Sequence, residues 1–108
     1  MTLDEYQSAA LKTAIYPSEM SIVYPTLGLT GEAGEVADKV KKTIRDNGGR
    51  FSDERRRQIA LELGDVMWYA ATLARDLGYS LADIAVMNID KIASRVERGA
   101  LHGAGDNR

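Results

Sequence analysis

The sequence predicts an all-α protein: a four-helix bundle, assembled as an oligomer. Three observations predict the fold class. Apolar residues recur at helical spacing almost throughout. Four segments are bracketed by capping residues and glycine stops. No stretch shows the strict alternation of a half-buried strand. Thr2 with Glu5 forms a capping-box pattern that opens a helix running to about Ala14. Residues 16–24, with Pro17 and Ser18, read as a connection. Pro25 suits the first turn of a second helix, which runs to about Arg45, and Asn47-Gly48-Gly49 stops it. Ser52 caps a third helix from Asp53 to about Leu77, closed by Gly78. Ser80 with Asp83 is a second capping-box pattern, and a fourth helix runs from there to about Arg98. Residues 1–99 thus form one domain. The polar stretch 100–108, with Gly103 and Gly105, is expected to be a flexible tail.

Composition narrows the chemistry. The chain has no Cys, which excludes disulfides, a thiol nucleophile and cysteine-ligated metals. Its single His is His102, so a Ser-His-Asp triad or a multi-histidine metal site has almost nothing to work with. A net charge of −2 gives no reason to expect nucleic acid as a partner. No apolar run approaches the ~18–20 residues that span a membrane. The opening MTLDEYQ lacks the order of a signal peptide, so a cytoplasmic location is expected.

An internal echo carries the candidate site. Glu32-Ala-Gly-Glu-Val36 and Glu62-Leu-Gly-Asp-Val66 share the pattern E-x-G-[E/D]-V. Each copy sets two carboxylates at i and i+3, neighbours on one helix face. On the second helix Leu29, Ala33, Val36, Val40 and Ile44 form an apolar arc with Glu32 and Glu35 at its edge. On the third, Ile59, Leu63, Val66, Ala70 and Leu73 form the matching arc, with Glu62, Asp65 and Tyr69 beside it. Leu61 and Trp68 flank the acids on the other side, so the stripe is not a plain solvated face. Antiparallel packing of the two helices brings both pairs together. Crowded carboxylates repel, and a divalent cation removes that penalty. Oxygen-only ligation favours Mg²⁺, with Mn²⁺ as substitute. The competing reading pairs these acids with Lys39, Lys42 or arginines as surface salt bridges. Glycines 28, 31, 34 and 64 inside the two helices are read as points of close helix approach.

At these residues the chain resembles the MazG-like, all-α nucleoside triphosphate pyrophosphohydrolases. The carrying segments are LGLTGEAGEVADKVKK (Leu27–Lys42), LELGDVMWYAATLARDLG (Leu61–Gly78) and NIDKIASRVERG (Asn88–Gly99). Gly31 stands where the fuller family motif has the first Glu of its E-E-x-x-E run, which leaves Glu32, Glu35, Glu62 and Asp65 as the metal ligands and catalytic acids. The resemblance implies Mg²⁺-dependent hydrolysis of (d)NTPs between the α- and β-phosphates, giving a monophosphate and pyrophosphate, in a house-cleaning role. One of the four carboxylates, with Glu32 the candidate, also accepts a proton from the attacking water.

The fourth helix fits such a substrate. Asn88, Lys91 and Arg95 form one stripe beside its apolar arc, suited to phosphate by charge and by the arginine fork, although basic residues near a helix C-terminus also suit its dipole. Tyr69, four residues after Asp65, is placed to meet base or sugar; Trp68 reads rather as core or interface. Lys39 and Lys42 are further phosphate contacts. Apolar residues on several faces of so small a chain predict a homodimer or homotetramer. Two other readings compete: a phosphoribosyl-ATP pyrophosphohydrolase, and a non-catalytic helical oligomerisation module.

Overall fold

Thr2 opens the first helix, α1 (Leu3–Leu11), with both halves of its capping box: its hydroxyl accepts the Glu5 N–H at 3.1 Å, and the Glu5 carboxylate accepts the Thr2 N–H at 3.2 Å. The computed structural model describes residues 1–99, so the tail expected at 100–108, with His102, lies outside the described residues. α1 ends three residues before the expected Ala14. Lys12, Thr13 and Ala14 each bond the carbonyl three residues back, and the Thr13 hydroxyl donates to the Ala10 carbonyl at 2.9 Å. Those bonds tighten the last turn and end the α-helical ladder.

The connection contains one 3-10 turn, Ser18–Met20, and then a γ-turn centred on Ile22, where the Val23 N–H bonds the Ser21 carbonyl at 2.8 Å. Ile22 has φ 69°, a conformation costly for a β-branched residue, about 1–3 kcal/mol. α2 (Val23–Asn47) starts two residues before Pro25, which sits buried in its first turn, where an N–H has no intrahelical partner to lose. Gly48 ends α2 at φ 62°, and the Gly49 N–H returns to the Thr43 carbonyl at 3.2 Å. α3 (Asp53–Asp76) is capped by the Ser52 hydroxyl, which accepts the Arg55 N–H. In α4 (Leu81–Glu97) the Ser80 hydroxyl accepts the Asp83 N–H, so this cap is one-sided rather than a full box. Among the described residues there is no strand.

The architecture is a long antiparallel hairpin, α2 against α3, with α1 and α4 packed on α3 and on each other. Gln7 ties these parts together. Its amide donates to the carbonyls of Ala71 and Tyr79, and its oxygen accepts the Leu81 N–H at 3.0 Å. Around it lie the buried apolar residues Ala10, Ala71 and Ala74. That core is thin. Of the predicted arcs, Leu29, Val36, Val40, Val66 and Leu73 are half-buried, whereas Ile44, Leu63, Ile89 and Val96 are exposed. The Cα radius of gyration is 16.6 Å, against about 13 Å for a globular chain of this size.

The glycine reading divides. A Cβ on Gly28 would run into the Tyr69 ring, so α2 and α3 do approach there. Around Gly31, Gly34 and Gly64 there is open space, and close packing within the chain does not account for them.

Candidate metal centre

The hairpin sets the acids by register. With the turn at 48–52, antiparallel pairing puts Glu32 of α2 opposite Glu62 and Asp65 of α3. Carboxylate oxygens of these three residues lie within 4.8 Å of one another. One Mg²⁺ with ligands at opposite vertices spans about 4.2 Å, so small side-chain rotations would complete a site for a hard cation. The electrostatics point the same way. Partial burial, then the charges of Asp65, Glu62 and Glu35, push the Glu32 carboxyl above the usual range. A cation placed among these carboxylates would offset the repulsion that Glu32 experiences.

Glu35, the fourth predicted ligand, is exposed and stands outside that trio, though near enough for its charge to act on Glu32. Lys39 lies 3.7 Å from Glu62 and shares its carboxylate. Lys42 is turned to Asp38 at 2.8 Å, alongside Lys41 at 2.9 Å. The two cations, Lys42 first, hold Asp38 down at about 2. The competing salt-bridge reading is thus met only in part at Glu62, whereas Glu32, Glu35 and Asp65 form no such pair among the described residues and Lys42 is turned to Asp38 instead.

The walls beside the acids are aromatic. Glu32, Asp65, Trp68 and Tyr69 line a cleft of about 290 Å³. Tyr69 therefore sits where its spacing from Asp65 predicts. Burial, and then Tyr24, Glu32 and Asp65, raise its hydroxyl pKa. Trp68 departs from a plain core role: it is half-buried, it meets Tyr69 edge to face at 4.9 Å, and its indole N–H donates to the Thr13 hydroxyl at 2.8 Å. Trp68 also borders a second cleft of about 250 Å³, lined by Thr13, Ile15, Tyr16, Pro17 and Tyr24. The Tyr16 and Tyr24 rings stack at 4.9 Å, and Tyr24 tilts against Tyr69 at 6.3 Å. Burial, and then the Asp65 charge, raise the pKa of the Tyr6 hydroxyl on α1. Sequence reasoning missed Tyr6, Tyr16 and Tyr24. Tyr6 and Tyr16 come from segments that precede the hairpin, Tyr24 stands about two turns before Glu32 on α2, and only their aromatic character could have drawn notice.

The α4 stripe is placed differently. Asn88 lines an apolar cleft with Leu3, Met67, Ala70 and Leu81, on another side of α3 from Asp65 and Tyr69. Lys91 is exposed and Arg95 is 4% exposed. Among the described residues no α4 side chain lines the cleft of the acids. A larger cleft of about 650 Å³ lies at the α2–α3 turn between Asp46, Arg50, Glu54 and Arg55; its charges are mixed, and no carboxylate cluster forms there.

Comparison with known proteins bears directly on this geometry. Residues 25–99 match the family model described as the MazG nucleotide pyrophosphohydrolase domain. The chain is 48% identical to the "Gene 37 protein" of Mycobacterium phage L5 over 114 aligned positions, which cover the whole of both chains. No solved structure gives a significant match. No helix among the described residues is long and apolar enough to cross a membrane.

Proposed function

We infer the activity from one premise: the chain belongs to the MazG nucleotide pyrophosphohydrolase family. It hydrolyses a nucleoside triphosphate, ribo or deoxy, to the monophosphate and pyrophosphate. The observation that supports this best is the gathering of Glu32, Glu62 and Asp65 within 4.8 Å beside the Tyr69 and Trp68 rings. Carboxylates alone bind hard cations, and an aromatic wall suits a flat base.

Glu32, Glu62 and Asp65 hold Mg²⁺, or Mn²⁺ in its place, with Glu35 recruited as the fourth ligand. The cation supplies charge neutralisation at the phosphate oxygens and a lowered pKa for the attacking water. Of these carboxylates, Glu32, which stands on α2 opposite Glu62 and Asp65, is the proposed acceptor of the proton of that water. Lys39 offsets charge at Glu62 and is proposed to turn to a phosphate oxygen when substrate binds. Tyr69 positions the nucleoside. Asn88 and Lys91 supply phosphate contacts in a homo-oligomer, where the stripe of one copy meets the acids of another; Arg95, at 4% exposed, lies too deep in its own chain to join them. The thin core and the exposed apolar residues of the single chain support that assembly.

The test is incubation with a panel of NTPs and dNTPs plus Mg²⁺, with the products identified. Monophosphate with pyrophosphate is the expected outcome. Diphosphate with orthophosphate as the sole products, or no turnover of any member, overturns the reading.

A further inference from the structure

The last residue of α3 is an aspartate, where the helix dipole disfavours negative charge. Its side chain is only 3% exposed. Two donors from a distant stretch of chain converge on one of its oxygens: the Tyr16 hydroxyl at 2.7 Å and the Ile22 N–H at 2.9 Å. Arg75 donates to the other oxygen at 2.7 Å and to the Tyr16 hydroxyl at 3.2 Å. Ile22 is the residue that caps α2, and no side chain of its own segment performs that role. Asp76 therefore supplies from α3 the negative charge that the start of α2 lacks, and it closes the open end of the hairpin.

We propose that Asp76 is a positioning residue: it latches the segment 12–22 onto the hairpin and so holds the Tyr16 and Thr13 side of the aromatic clefts against Trp68. The chain of contacts is continuous. Asp76 holds Tyr16, Tyr16 stacks on Tyr24, and Tyr24 meets Tyr69, which lines the cleft of the acids. In the same segment Thr13 accepts the Trp68 indole N–H. The acids themselves do not depend on the latch. Glu32, Glu62 and Asp65 lie between the Gly28–Tyr69 contact and the turn at 48–52, which keep the register. Loss of the latch should therefore weaken nucleotide binding without disabling hydrolysis, the pattern of lost uniform binding.

The consequence for nucleotide binding rests on the function proposed above; the latch itself does not. Trp68 is the chain's single tryptophan, so its fluorescence reports the segment directly. In Asp76→Asn, Trp68 emission should shift to the red and acrylamide quenching should rise, with far-UV circular dichroism unchanged. For the nucleotide that the wild type hydrolyses best, KM should rise about fivefold or more while kcat stays within roughly twofold. Tyr16→Phe, which keeps the ring and removes one donor, should move both readouts the same way by less, and it carries the test if Asp76→Asn fails to fold. Unchanged Trp68 emission overturns the latch whether or not the wild type turns over any nucleotide. Shifted emission with unchanged KM overturns the positioning role. A wild type without turnover defeats the proposed function and leaves the fluorescence test of the latch standing.

Discussion

Glu32 faces two acids of the neighbouring helix, unlike an isolated surface carboxylate. Its pKa is raised by partial burial and by Asp65, Glu62 and Glu35, so the folded chain holds this proton more tightly than the unfolded chain does. The contribution of Glu32 to metal-free stability should then fall as pH rises from the ordinary carboxylate pKa, about 4.3, through the higher folded value. Saturating Mg²⁺ should flatten that slope, because the cation takes the proton's place. Thermal melts from about pH 4 to pH 7, with and without Mg²⁺, check this; identical profiles would count against the site. Glu62→Gln and Asp65→Asn should each lower turnover by roughly 100-fold or more, since loss of a direct ligand exceeds the 10–100-fold typical of outer-shell changes. Without metal, the melting temperature of Asp65→Asn should hold or rise, because the change relieves repulsion at Glu32, whereas Glu62→Gln also gives up the Lys39 pair. Full turnover in either variant would contradict the assignment.

At the scale of the helices, two backbone positions decide how α2 meets α3. Gly28→Ala adds the better helix former, worth about 1 kcal/mol in an open position. Here the added Cβ meets the Tyr69 ring, and overpacking of that kind costs about 1–3 kcal/mol. The variant should melt lower than wild type and lose activity through displacement of Tyr69. Ile22→Gly removes a Cβ instead. Relief of the γ-turn, about 1–3 kcal/mol, is set against the 0.5–1 kcal/mol or so that glycine's extra freedom costs and against the burial lost with a side chain 43% exposed. Ile22→Gly should therefore be more stable in denaturant unfolding than Ile22→Ala, which loses nearly the same burial but keeps a Cβ at positive φ, and the reverse order would contradict the strain at Ile22.

The whole molecule exposes what a folded monomer buries. Leu27 is 66% exposed, Ile44 62% and Ile89 66%, and the glycines 31, 34 and 64 face open space. Such surfaces support the proposed homo-oligomer, for which two-fold pairing is the default. Light scattering at micromolar concentration should give a multiple of 11.8 kDa, and the melting temperature should rise with protein concentration. A fully active 11.8 kDa monomer would refute the assembly.

Local chemistry made much of this legible in the sequence. Thr2, Ser52 and Ser80 begin helices because their hydroxyls accept orphan N–H groups, and Gly48 and Gly78 end helices because they tolerate positive φ. Those signals depend only on near neighbours. The repeated acidic pattern marked Glu32, Glu62 and Asp65 for the same reason: i, i+3 spacing fixes a helix face. Tertiary structure decided what depends on residues far apart in the chain. It brought three of the four acids together while Glu35 stayed outside, turned Lys42 to Asp38, and set Tyr16 and Thr13 beside Trp68. It also put the Asp76 carboxylate at the start of α2, a cap no local pattern predicts because donor and acceptor are 54 residues apart. Helix periodicity specifies which face a residue occupies; only packing and register determine what that face meets.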